Sequence, residues 1–308
     1  MKKILLIILV FTLPIACLAQ SKKTTKQNTT EDVSSDCEKA QKKLSNEEIF
    51  EKHIPILKEA DRLYKYERAA WVGSDIALMD ENIKSTRGYI VIESEDTIKT
   101  IFYDKEKENC IIEICFLNDF DTPIKTLSGI RKLSPKEKEL IEIQKKVLNQ
   151  ITKDTSYHVS CPEGYSLNLE LLPNDDGYNF YIFTGTSQDN IIPFGNDWIF
   201  SLNKNGEITS WRKYHSILIS INTNPEEKIT TVIHSHLKKE PYMTPTDICT
   251  FRLYAKMFGL ESMYVYSPAI EKYLIYTLKE NTIIVLNKEF FENLNKSIEE
   301  RKAKDEEQ

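Results

Sequence analysis

Two histidines one residue apart, His234 and His236, and an aspartate, Asp247, lie within Thr230 to Phe251, TTVIHSHLKKEPYMTPTDICTF. A run of β-type residues leads into the histidines. Residues two apart on a strand share a face, with about 7 Å between their α-carbons, so both imidazoles can converge on one ion. Ten residues separate His236 from Asp247, which falls in the first turn of a helix signalled by Thr244, Pro245 and Asp247 itself. A loop of that length can fold the carboxylate back toward the strand end. Two nitrogens and one oxygen are an ordinary ligand set for catalytic zinc, with the fourth position left to water. The same residues admit a purely structural reading, in which Asp247 caps its helix and offsets the dipole while the histidines end a strand at the surface.

The elements that must position these residues follow from periodicity and turn chemistry. Ser45 and Glu48 form a capping box ahead of a helix expected over 46–68, with Pro55 placed to kink it. Runs at 88–94, 97–103 and 110–116 suggest a small antiparallel sheet. Ser134, Pro135 and Glu137 start a helix over 135–153. Further strands are expected at 165–172, 178–185, 197–203, 216–222 and 230–236, and turns ending at Gly177 and Gly206 favour antiparallel pairing. A helix over 245–258, stopped by Gly259, precedes strands at 262–267, 272–278 and 281–286. The fold class is α+β, mostly antiparallel or mixed sheets with flanking helices. PFGNDWIF, 193–200, reads as a loop entering a strand, with Gly195 and Asn196 making the turn and Trp198 in the core. AAWVGSD, 69–75, is a candidate peptide-binding loop.

His234-Ser235-His236, seven residues, then Thr244-Pro245-Thr246-Asp247 resembles the signature of the JAMM (MPN-type) metallopeptidases, His-x-His, seven residues, Ser-x-x-Asp. The resemblance extends over 133–287, as a JAMM-like α/β domain, and not over the first 130 residues. It implies zinc-dependent hydrolysis of peptide or isopeptide bonds, with His234, His236 and Asp247 as ligands and an upstream glutamate as general base. Thr244 stands in the position of the family's serine, which helps polarise the carbonyl. No glutamate followed by the family's glycine-rich apolar strand is present. Glu170 is the candidate for that base, with an ordinary edge-strand carboxylate as its alternative; Glu163 and the shorter Asp197 are substitutes. His215 reads as a surface histidine, with an extra ligand or oxyanion donor as its functional alternative.

The 308 residues are 41% hydrophobic and 29% charged with net charge -6, enough for a real core and without the basic surplus that nucleic acid requires. MKKILLIILVFTLPIACLAQ has the layout of a secretory signal peptide, with cleavage expected after Ala19; a lipoprotein anchored through Cys17 is the alternative and the one membrane attachment considered. Cys110 and Cys115 read as core residues rather than a disulfide pair. The expected organisation is a signal peptide, 1–19, a disordered tether, 20–44, an N-terminal α+β region, 45–132, the JAMM-like domain, 133–287, and a charged tail, 288–308, that begins with an amphipathic turn or two. The expected function is an exported zinc hydrolase acting on a peptide, protein or cell-wall peptide. Its alternative is a non-catalytic exported binding module on the same scaffold, with or without metal.

Overall fold

The computed structural model describes residues 44–306 apart from 95, 118–119, 121 and 224–228; the leader with Cys17 and Ala19 lies outside the described residues. Ser45 Oγ accepts from the Glu48 amide at 3.1 Å and Glu48 accepts from the Ser45 amide at 2.7 Å, opening α1, Asn46–Ala77. The helix runs through Pro55 and well past 68. AAWVGSD is therefore not a loop. Ala69, Ala70 and Gly73 are buried in α1 because these small residues let a strand come close: a methyl at Gly73 would sit 2.8 Å from Thr100 Oγ1. The Thr100 hydroxyl donates to Ala69 O at 2.7 Å.

Strands β1 (Gly88–Ser94), β2 (Thr97–Tyr103), β3 (Asn109–Phe116) and β4 (Pro123–Lys132) form an antiparallel meander. The pattern of β4 hides it, since Ile124, Leu127 and Ile130 recur every third residue, are exposed, and give no period of two. β3 is covered on both faces, so Cys110 and Cys115 are both buried, and both are free thiols. After α2 (Pro135–Lys153), strands β5 (Ser166–Pro173) and β6 (Gly177–Gly185) begin a second antiparallel sheet. A short pair, β7 (Ile191–Gly195) with the later β10 (Leu218–Asn222), interrupts it before β8 (Trp198–Asn203) and β9 (Ile208–Lys213) complete the order β5-β6-β8-β9.

The last sheet carries the histidines. β11 (Thr231–Ser235) passes through α3 (Pro245–Phe258) to β12 (Ser262–Ser267), which lies parallel beside it; β13 (Lys272–Thr277) and β14 (Thr282–Asn287) continue antiparallel. The tail holds α4, Lys288–Glu306, a longer helix than the apolar residues alone suggested. Leu63 of α1, Phe251 of α3, Val265 and Tyr276 share one apolar core. Leu140, Ile141 and Val147 of α2 pack in a second with Phe180, Trp198 and Phe200. Arg252 of α3 pairs with Asp61 of α1 and stacks over the Tyr64 ring at 4.1 Å, while Asn46 Nδ2 donates to Val285 O at 3.1 Å. Among the described residues no helix is long and apolar enough to cross a membrane.

Candidate metal centre

Alternation along β11 leaves Ile233 and Ser235 exposed and buries His234, with His236 buried just beyond the strand. At the start of α3, Thr244 Oγ1 accepts from the Asp247 amide at 3.1 Å. Asp247 Oδ2 in return accepts from the Thr244 amide at 2.8 Å and the Thr244 hydroxyl at 2.7 Å. The capping reading of Asp247 is thus correct, and it complements the metal reading. Capping occupies Oδ2 and leaves Oδ1 buried without a hydrogen-bond partner, 3.2 Å from His234 Nε2 and 3.4 Å from His215 Nε2.

His215 is not on the surface; its side chain is 6% exposed. The cause lies in the turn between β7 and β8. Gly195 has φ 76 and a Cβ there would meet Ile217 O at 2.5 Å, so glycine is required; Asn196 follows with φ 51. The turn sends Asp197 inward, where Oδ1 accepts from the His215 amide at 3.1 Å and lies 2.9 Å from His215 Nδ1. In the neutral ring a proton on Nδ1 makes that contact a hydrogen bond and leaves the Nε2 lone pair facing the cluster; without metal the ring is also protonated at Nε2, a proton that a bound ion would displace. Asp197 Oδ2 accepts from the Thr246 hydroxyl, and Thr246 Oγ1 lies 2.9 Å from Thr244 Oγ1. The two threonine hydroxyls lie side by side between the carboxylate behind His215 and Asp247, each giving its one hydrogen to a carboxylate.

His215 Nε2 is 3.0 Å from His236 Nε2, which is 3.3 Å from His234 Nε2. With Asp247, the donor atoms of these buried residues all lie within 4.8 Å of one another, a group that can hold a metal ion. Burial opposes charge at His215 and Asp247, but opposite charges decide the balance there. His215 is pushed up to about 10 because Asp197 and Asp247 overcome its burial. Asp247 is held well below the carboxylate range because His215 and His236 outweigh desolvation. For His234 burial wins and its pKa falls.

Glu170 is buried on β5 beside Glu67 of α1. It is not one of the four converging residues. Asn168 Nδ2 donates to Glu67 Oε1 at 2.7 Å. Burial raises both carboxyls, Glu67 to about 7, and repulsion by Glu67 adds to the rise in Glu170. Glu163 is exposed. Thr244 is bonded to Asp247, which commits the hydroxyl that the resemblance assigned to a carbonyl.

The sequence reading missed Glu240, four residues after His236 and 5% exposed. Its burial raises its pKa, His236 and His215 act on it electrostatically, and Arg212 Nη1 approaches at 3.8 Å. Two exposed lysines precede it, and no periodicity marks it as turned inward. Comparison of the chain with family models, curated proteins and solved structures found no match. The JAMM resemblance therefore rests on the spacing of the residues themselves.

Proposed function

We propose that the chain is an exported zinc-binding module on a JAMM-like scaffold, its metal held by His215, His234, His236 and Asp247. The spacing of the donors carries this reading. Zinc bonds of about 2.0–2.2 Å place tetrahedral ligands about 3.3–3.6 Å apart; four of the donor pairs here are separated by 3.0 to 3.4 Å, and all the donors lie within 4.8 Å of one another. Four protein donors complete such a shell, and closed shells serve structure whereas catalytic zinc keeps a position for water. The Asp197 carboxylate behind His215 is the usual outer partner of a ligating imidazole. With the shell closed, zinc would brace β11 against α3 and the turn after β9, presenting a rigid surface to a protein or cell-wall peptide. The leader supports a location outside the cytoplasm.

Mass spectrometry of the full chain is expected to find about one zinc, lost in both His234→Ala and His236→Ala, since each ligand is needed to complete the site. Cobalt substituted for zinc should give the intense visible bands of four-coordinate geometry. A parent chain that takes up no metal would sink the proposal.

One observation favours a second reading, hydrolysis of a peptide or isopeptide amide: Glu240 is a buried carboxylate within electrostatic reach of His236 and His215. Zinc would supply Lewis-acid polarisation of the carbonyl. Glu240, its pKa raised by burial, would take a proton from water and deliver it to the leaving amine. On this reading the parent cleaves a peptide or isopeptide pool, and Glu240→Gln keeps its zinc and loses cleavage. An inert parent with full zinc leaves the module.

A further inference from the structure

His53 of α1 is wholly buried, and its ring is edge-on to Tyr242 at 5.3 Å. Nδ1 lies 2.8 Å from Ile49 O. A carbonyl only accepts, so Nδ1 carries the proton and Nε2 is left as an acceptor. The acceptor is used: the Met243 amide donates to His53 Nε2 at 3.3 Å. Met243 is itself buried and immediately precedes Thr244, whose amide and hydroxyl both hold Asp247 Oδ2. Upstream in the same loop, the backbone bond from the Glu240 amide to Leu237 O, at 2.9 Å, is local and ties the loop to nothing else.

We infer that His53 is a positioning residue of the metal centre, fixing from the N-terminal helix the loop that joins His236 to Asp247. The inference rests on the metal reading above and extends it to a residue 190 positions from its contact. Replacing His53 with an apolar side chain leaves the Met243 amide buried and unpaired, and the cheapest relief is for the loop to move. Asp247 moves with it, since Thr244 sits between them.

The test is a competition titration of the full chain with zinc against a chromophoric chelator, for the parent, His53→Leu and His53→Gln, alongside thermal melting of each metal-free protein. Leucine fills the space but cannot accept; glutamine can donate to Ile49 O and accept from Met243. Outer-shell changes weaken metal binding about 10–100-fold, so His53→Leu is expected to bind zinc about tenfold more weakly and His53→Gln to return within about threefold of the parent. Melting of the metal-free proteins should differ far less than zinc affinity. Unchanged zinc affinity in His53→Leu would overturn the inference and leave the metal reading standing. So would equal weakening in both variants accompanied by equal losses in metal-free melting, because His53 would then only fill space. A parent that binds no zinc removes the metal reading and this inference with it.

Discussion

Two polar clusters lie deep in this molecule and solve the same problem in opposite ways. At the candidate metal centre, three imidazoles face one carboxylate, Thr244 holds one of its oxygens, and Asp197 backs His215, so burial is opposed by opposite charge. Between α1 and β5, Glu67 faces Glu170 with an asparagine for company, and Glu67 Oε2 and Glu170 Oε1 are buried without hydrogen-bond partners. Like charges cannot both ionise there, so protons do the balancing. Convergent lone pairs of mixed type invite a cation; convergent acids alone retain hydrogen. Of the two, only the first supports a claim about zinc, although Glu170 was the sequence candidate for catalysis.

The comparison is most sharply tested by metal. Zinc at about 1,000 times its dissociation constant should raise the free energy of unfolding of the full chain by about 4 kcal/mol, an increment abolished by chelator and missing in His236→Ala. Chemical denaturation with and without zinc reads this directly, and equal stability in both would break the contrast. The acid pair predicts the next largest effect, with pH as the variable. Its folded carboxyls titrate above their unfolded values, Glu67 at about 7, so the fold holds more protons than the unfolded chain. Stability is full below the unfolded carboxyl pKa and is lost as pH rises through neutrality, by on the order of 3 kcal/mol. Urea unfolding at pH 5 and pH 8 should show that loss in the parent, part of it in Glu170→Gln, where burial still raises Glu67, and a nearly flat response in the double variant Glu67→Gln with Glu170→Gln.

Smaller effects separate the support of the centre from its ligands. Asp197→Asn should weaken zinc binding about 10–100-fold without emptying the site, measured by competition titration. Thr244→Ala should cost about 1 kcal/mol through the lost cap, while Thr244→Ser stays within a few tenths on urea unfolding. An Asp197→Asn protein with parental affinity would mean that His215 needs no carboxylate behind it.

Much of the fold was legible where local chemistry speaks loudly. α2 and α3 run over the expected residues because Ser134-Pro135 and Thr244-Pro245 open them and Gly259 closes the second. β7 and β9 escaped because one hides inside a turn signal and the other, IleThrSerTrpArgLys, is partly to fully exposed and alternates poorly. The centre was half legible. His234, His236 and Asp247 fall close enough in the chain for spacing to betray them, whereas His215 arrives on a separate turn whose direction depends on Gly195 and Asn196. Glu67 and Glu170 belong together only because α1 packs on β5, which no local pattern encodes.

That packing also sets an order of assembly. Asn46, at the opening of the first helix, bonds a carbonyl of β14, and Asp61 is met by Arg252 and Asn281. Contacts between the earliest and latest parts of a chain are slow to form because a long loop must close first. α1 can dock early on β2, its near neighbour in the chain, but its bonds to α3 and β14 must wait for residues made late. The bond from Met243 to His53, across 190 positions, belongs to that late set.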